Sequence, residues 1–377
     1  MKIAIDCLSA KSLYHGMGVY LNNLLRYLIP LAQNHSFLLF GRLRTFQCSD
    51  DFLNTKNVDF REIRLNRSFR ILWENTLLPV DLIKEKVDLF WGPSNFLPPL
   101  KVCKYIVTIH DISSFIFAHT YPWLRRNYYQ VSIRNALHRA DGIISVSSAT
   151  KNDLIKYFPI SEDKIRVIPN GVGEMFQSII SPKEILRVRE KYHLPSEFLL
   201  SLGVLEPKKN TERIILAYAR LKEEIANLPK LVIAGSRAYG WKNSSLFQLI
   251  KRLKLEEQVL FPDKIEQKDL PAVYHSALLF LYPSLYEGFG LPVVEAMACG
   301  TPVITSNVSS LPEVAGDAAI LVNPYSVSEI AQAMKEVLLN DRKREEMREK
   351  GIKNAQRFSW QKSAQELLNF FEEVMGK

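Results

Sequence analysis

Apolar and polar positions alternate along this chain in two rhythms, and their order predicts its architecture. Short runs of β-branched and aromatic residues, bounded by Gly, Pro, Asn or Asp, read as buried strands. In the first half these runs are KIAID, SFLLFG, VDLFWG, YIVTIHD, GIISVS and IRVIPNG. Between several of them lie stretches with helical spacing. Gly16 to Leu31 reads as the first helix and Trp123 to Arg139 as another, stopping before Ala140-Asp141-Gly142. Ser148 reads as the cap of a helix reaching about Tyr157. After the polar helical stretch SPKEILRVREKYHLP, strand-like runs resume as FLLSLGVL, KLVIAG, QVLFPD, ALLFLYP, TPVITS and AAILVNP.

Strands alternating with helices imply parallel sheets with crossover connections. The repetition of the pattern predicts an α/β protein of two Rossmann-like, doubly wound parallel-sheet domains facing a central cleft. The boundary is expected within 175–195, where Pro182 and Pro195 bracket a linking helix. This gives an N-terminal domain over 1–180 and a second over 181–359. The last segment, RFSWQKSAQELLNFFEEVMGK, is a helix with an apolar stripe, expected to pack back on the first domain over about 360–377.

Composition narrows the class. The 377 residues include no apolar run near the ~20 needed to span a bilayer. MKIAID reads as a buried first strand rather than as part of a signal peptide, so a cytoplasmic protein is expected. Cys7, Cys48, Cys103 and Cys299 lack metal or redox spacing and read as free thiols. The net charge is +9. Residues 1–180 hold 22 Lys+Arg and 15 Asp+Glu, so +7, and the remainder 27 and 25, so +2. A basic first half suits an anionic substrate or an anionic membrane surface. Arg61, Arg64, Arg67 and Arg70 are its densest part, at a spacing compatible with one helix face or a solvated one. Recognition modules for nucleic acid are missing, so that partner is not expected.

Four motifs carry candidate chemistry. EGFGLPVVEA, residues 287–296, follows the strand-like ALLFLYPS. Gly288 and Gly290 allow a turn whose amides approach a ligand, and a helix starting at Pro292 would offer an anion site. Glu295, read as lying in the first helical turn, is explained by the helix dipole alone; Glu287 is not. Paired acceptors around an anion site suit a diphosphate flanked by hydroxyls, as in a sugar nucleotide. In LLSLGVLEPKKNTERIILAY, Lys208 and Lys209 follow a strand end, where they would meet a diphosphate or form a solvated basic loop. In YIVTIHDIS, His110-Asp111 ends a strand, where ligand residues gather in open α/β sheets. His15-Gly16-Met17-Gly18 is only a fragment of a dinucleotide fingerprint, with Leu21 in place of the third glycine. No Asp-x-Asp, HExxH, GxSxG or P-loop is present.

Taken together, HGMGVY, TIHD, ADGIISVSSATKNDL, IRVIPNGV, SLGVLEPKKN, EGFGLPVVE and the terminal FSW helix resemble the retaining glycosyltransferases of family four, with the GT-B fold. The resemblance covers nearly the whole chain, and EGFGLPxxE is its most specific part. EPKKN is similar to the EPRKN of bacterial enzymes of O-antigen and exopolysaccharide synthesis, many of them mannosyltransferases. The resemblance implies a metal-independent transfer with retained configuration, from a nucleotide sugar to a saccharide or lipid-linked saccharide. GDP-mannose is the donor it favours. No cofactor is implied, since the nucleotide sugar is a substrate.

Roles follow by resemblance. Glu287 would hold donor-sugar hydroxyls, helped by the amides of Phe289, Gly290 and Leu291. Glu295 would hold the ribose, and Lys209, with Lys208 nearby, the leaving diphosphate. His110 would contact the sugar near the reacting carbon. Gly16 and Met17 would bring amides to the diphosphate, and Lys264 and Ile265 would meet the base. Two departures stand out: Gly203-Val204 replaces the usual Gly-Arg, and His15-Gly16 the usual glycine pair. The acceptor is expected on the first domain, whose aromatics and positive charge also suit peripheral contact with an anionic membrane. Open alternatives are a UDP- or dTDP-sugar donor, a sugar-nucleotide epimerase, and a non-catalytic sugar-nucleotide-binding subunit.

Overall fold

The computed structural model describes residues 1–8, 16–42, 53, 55–64, 72–235, 244–262 and 264–376. His15, Cys48, Arg67 and Arg70 lie outside them. The chain divides into two compact units, Met1–Gly171 with Ser359–Lys377, and Val172–Phe358. The passage between them falls at Gly171 and Val172, ahead of the expected window.

The first unit holds seven parallel strands: β1 (Lys2–Asp6), β2 (Ser36–Gly41), β3 (Val58–Glu62), β4 (Leu89–Gly92), β5 (Lys104–Ile109), β6 (Gly142–Ser145) and β7 (Ile165–Val167), in the order β3-β2-β1-β4-β5-β6-β7. The inner positions of β1, β2, β4, β5 and β6 are buried because helices cover both faces. On one face Leu38, Phe90, Val107 and Ile143 pack against Leu78, Ile133, Leu137 and Leu154 of the helices Leu77–Lys84, Trp123–Arg139 and Ser148–Tyr157. On the other lie the helix Gly16–Leu31 and the helix Trp360–Gly376, which contact each other. Trp91 of β4 packs edge-on against Phe371 at 5.6 Å.

The second unit holds β8 (Phe198–Leu202), β9 (Lys230–Ala234), β10 (Val259–Leu260), β11 (Leu279–Tyr282), β12 (Val303–Ser306) and β13 (Ala319–Val322), ordered β10-β9-β8-β11-β12-β13 and again parallel. Its core joins Leu199, Leu231, Leu279 and Ile304 to Ile214, Tyr218, Ile330 and Met334 of two covering helices.

Two local expectations are corrected. Arg61 sits on β3, not on a helix. VDFRE alternates half-buried and exposed positions at the sheet edge, and Arg61 pairs with Asp59 and with Glu85 at 2.7 Å. The helix Ser148–Tyr157 is capped by Ser147, whose extended backbone lets its hydroxyl accept the Thr150 amide. Among the described residues no helix is long and apolar enough to cross a membrane.

Candidate functional site

The strand order of the second sheet decides where its motifs meet. Ligand sites in open parallel sheets lie beyond the strand C-termini, where neighbouring strands send the chain off in opposite directions. Here those neighbours are β8 and β11. Beyond β8 come Gly203 and the EPKKN loop; beyond β11 comes the loop carrying Glu287. Topology alone therefore sets two motifs, far apart in sequence, side by side.

Lys209 lies on the short turn Pro207–Lys209, and its Nζ donates to Glu287 Oε1 and to the Tyr282 hydroxyl, both at 2.6 Å. The next residue fixes that reach. Asn210 adopts φ +61°, a left-handed conformation that Asn tolerates better than most residues. Its Nδ2 donates to the carbonyls of Pro283 at 2.9 Å and Pro324 at 2.6 Å. The turn is thus pinned to the loops after β11 and β13. The Leu285 amide adds a bond to the Lys208 carbonyl at 2.8 Å. The Lys208 ammonium lies 3.6 Å from Glu206.

The Glu287 loop is held from its other side by two serines after β12. Ser309 Oγ accepts the Glu287 amide at 3.0 Å, and Ser310 Oγ bridges the carbonyls of Glu287 at 2.9 Å and Phe289 at 2.8 Å. Burial alone would push the Glu287 carboxyl up. The charges of Lys209 and Lys208, with the hydrogen bond from Lys209, outweigh it and hold the group below the usual carboxylate range. The same surroundings, burial first and then the Glu287 charge, push the Tyr282 hydroxyl far up, so it stays neutral.

The helix Leu291–Ala298 follows at once, capped by Gly290 at φ +107°. A side chain there would be strained, and its Cβ would lie 2.8 Å from Leu311 Cδ2. The helix N-terminus brings its amides and partial positive charge up beside Glu287. Phe289, Gly290 and Leu291 therefore lie where a diphosphate would find donors. Pro292 is the second helical residue rather than the first.

Glu295 differs from its expected place. It falls in the second turn of that helix, and the first turn holds no acid. Dipole complementarity therefore does not explain it. It is buried, accepts a bond from Tyr274 Oη at 3.1 Å, and burial raises its carboxyl to about 7 against the partial relief of that bond. Lys264, exposed, and Ile265, buried, follow β10 at the same end of the sheet.

The remaining expected residues belong to the first unit. Gly16 and Met17 open the helix Gly16–Leu31, both exposed. One turn on, the Tyr20 ring meets His110 edge-on at 4.6 Å. The Tyr20 hydroxyl and Trp91 Nε1 both reach Thr108 Oγ1, at 3.1 and 3.0 Å, inside the core. His110 Nε2 lies 2.8 Å from the Pro93 carbonyl. A carbonyl only accepts, so Nε2 carries the hydrogen and Nδ1 is the acceptor. Burial lowers the imidazole's affinity for a second proton, outweighing the Pro93 carbonyl and Asp111, so His110 is neutral at pH 7.

Sequence reasoning singled out Lys209, Glu287, Glu295 and His110 but missed their holders: Tyr282, Asn210, Ser309, Ser310, Tyr274 and Pro93. Cys7 and Cys299 are buried free thiols and Cys103 a half-buried one, and burial raises each.

Known proteins resemble this chain over both of its units. Residues 14–174 match the family model "Glycosyltransferase Family 4", and residues 183–357 match "Glycosyl transferases group 1". O-antigen chain mannosyltransferase B of Escherichia coli is 35% identical over 291 residues, 77% of this chain and 76% of that protein. Among solved structures, a sucrose-phosphate synthase from Thermosynechococcus elongatus superposes with a TM-score of 0.78 at 19% identity, covering 100% of this chain and 99% of that one. Anabaena HepE in complex with UDP gives 0.76 at 20% identity, covering 99% and 100%. The chain belongs to glycosyltransferase family four, and its paired α/β units have the GT-B fold.

Proposed function

We propose that this glycosyltransferase moves a mannosyl residue from GDP-mannose to a saccharide or lipid-linked saccharide during surface polysaccharide synthesis. Transfer retains the anomeric configuration and needs no metal ion. The observation that carries the reading is the Lys209–Glu287 pair beside a helix N-terminus at the meeting point of β8 and β11. The 35% identity to an O-antigen mannosyltransferase supports the sugar.

The chemistry follows from charge. As the bond from the anomeric carbon to the diphosphate oxygen breaks, its electron pair goes to the diphosphate. Lys209, with Lys208 near it and the amides of Phe289, Gly290 and Leu291, stabilises that charge without reorganising. Gly16 and Met17 offer further amides to the diphosphate. The acceptor oxygen bonds to the same face of the sugar, and its proton leaves on the departing phosphate oxygen. Glu287 binds sugar hydroxyls and Glu295 those of the ribose, while Lys264 and Ile265 meet the base. His110, neutral, accepts from the sugar near the reacting carbon.

Peripheral contact with anionic membrane on the cytoplasmic side belongs to the same proposal. Trp123 and Leu124 are 63% and 73% exposed beside Arg125 and Arg126. Negligible co-sedimentation with anionic liposomes at low salt would remove that part.

The deciding experiment is a thermal-shift screen in EDTA with GDP, UDP, dTDP, ADP and their sugar conjugates, followed by product NMR. A selective rise with GDP and GDP-mannose, turnover in EDTA and an α-linked product are expected. HepE carries UDP; a selective rise with UDP or dTDP here would replace the donor, and an inverted product would replace the stereochemistry.

A further inference from the structure

A groove on the first unit has no part in the chemistry described so far. It runs between the helix Trp123–Arg139 and the segment that joins β4 to β5, with a cavity volume of about 330 Å³. That volume lies within the ~300–1,000 Å³ typical of small-molecule sites. Asn127, Val131 and Asn135 line it at a spacing of four, so a single helix face forms one wall, and Tyr128 extends that wall. Phe96, Leu97 and Pro99 form the opposite side.

The lining chemistry is selective. Each Asn amide offers two donors and an acceptor. Tyr128, 44% exposed, adds an aromatic ring. Arg139 is fixed at the far end, its Nε donating to the Pro99 carbonyl at 2.7 Å. Among the described lining residues none is acidic. Amides alternating with apolar surface and one aromatic face match a pyranose chain, which presents hydroxyls at its edges and C–H groups on its faces. A purely apolar chain would leave the amides facing hydrocarbon, at a cost in unpaired polar groups.

The position of the groove gives it a direction. In a parallel sheet the helix before β6 starts at the end where β5 finishes, so Asn127 lies near the His110 end and Arg139 at the opposite end. Ser132 of the groove donates to the Asn95 carbonyl at 2.9 Å, and Asn95 Oδ1 accepts the His110 amide at 3.4 Å. One short segment, Pro93 to Phe96, therefore supports His110 and walls the groove.

We propose that this groove binds the already assembled part of a neutral glycan acceptor, several sugars behind the one being extended. This rests on the mannosyl-transfer reading, yet has a readout of its own. The test uses the whole chain, with Asn127→Ala/Asn135→Ala and Tyr128→Ala, all at half-buried or exposed positions. Without donor, titration calorimetry and saturation-transfer NMR with α-linked mannose oligosaccharides should show binding that strengthens with length. It should weaken about tenfold in the double variant, the worth of two hydrogen bonds. In turnover, KM for a long acceptor should rise about as much. Donor KM, kcat, and KM for a one-sugar acceptor should hold. Equal effects on short and long acceptors, or no oligosaccharide binding by the unaltered chain, would overturn the groove's role. So would a Tyr128→Ala variant that loses only polyprenyl phosphate, which would make the groove a lipid site. Absence of mannosyl transfer with every donor, alongside intact oligosaccharide binding at the groove, would instead overturn the mannosyl-transfer reading.

Discussion

The Lys209 ammonium and the Glu287 carboxylate stand 2.6 Å apart, each largely shielded from solvent. Neither can be removed cleanly. A single Lys209→Met or Glu287→Gln change leaves the other charge buried and unpaired, which costs about 3–5 kcal/mol in a buried pair. We expect each variant to lose about 10²–10³-fold in kcat, the usual cost of deleting one preorganised electrostatic contact. The double variant should recover most of the lost Tm without recovering turnover. A double variant as unstable as the worse single one would show that the pair does not act as a unit.

On the proposed ribose contact, Glu295 should make donor binding depend on pH. Its carboxyl titrates near 7 because it is buried. Ribose hydroxyls donate better to the ionised form, so affinity for nucleoside diphosphate should rise between about pH 6 and 8. Stability moves the other way. With the folded pKa raised, the group's contribution is fully present below about 4.5 and is lost as pH rises through about 7. Glu295→Gln should therefore gain in stability over the unaltered chain as pH rises across that window, by an amount on the order of 3 kcal/mol at most, read as a widening Tm difference. Its nucleotide affinity should become flat with pH. A constant Tm difference across the window would show that the carboxyl titrates normally.

Asn210 does two separable jobs. Its left-handed backbone sets the turn, and its side chain ties the Pro283 and Pro324 carbonyls. Asn210→Ala forfeits both and should destabilise by roughly 2–4 kcal/mol. Asn210→Gly relieves the backbone and should recover about 1 kcal/mol of that. Both should lower turnover, because Lys209 loses its anchor. Denaturant unfolding checks the order; Ala and Gly variants of equal stability would remove the backbone part.

Gly290 is the cap between Glu287 and the helix behind it. At φ +107°, with Leu311 close by, Gly290→Ala should cost about 1–3 kcal/mol and displace the amides facing the ligand. Loss of nucleotide affinity larger than the loss of Tm would reveal that displacement. A variant with unaltered affinity would show that these amides do not meet the ligand.

Much of this was legible in the sequence, and the gaps have physical reasons. The strands of the second sheet stand out as apolar runs, and its inner four, β9, β8, β11 and β12, are buried because helices cover both faces. β3 does not, since VDFRE lies at an edge and exposes every other residue. The spacing of Arg61 was compatible with a helical face, and the sheet places it on this edge strand instead. Glu287 and Lys209 were legible as unusual charges at strand ends. Tyr282, Ser309 and Ser310 were not, because their partners are set by strand order and not by spacing along the chain. Glu295 was found but placed one turn early, and its shielding by Tyr274 depends on a contact between two helices.

The helix Trp360–Gly376 carries a consequence for synthesis. It contributes Phe371 against Trp91, and at Gly142 a Cβ would lie 2.7 Å from its Phe370. These residues are encoded downstream of the entire second unit. On the ribosome the second unit therefore has its full sequence in hand while one face of the earlier sheet is covered only by the helix Gly16–Leu31 and still lacks its second helix. The half that emerges first is the half that matures last, and it must keep that apolar face from the wrong partners until translation has passed the second unit.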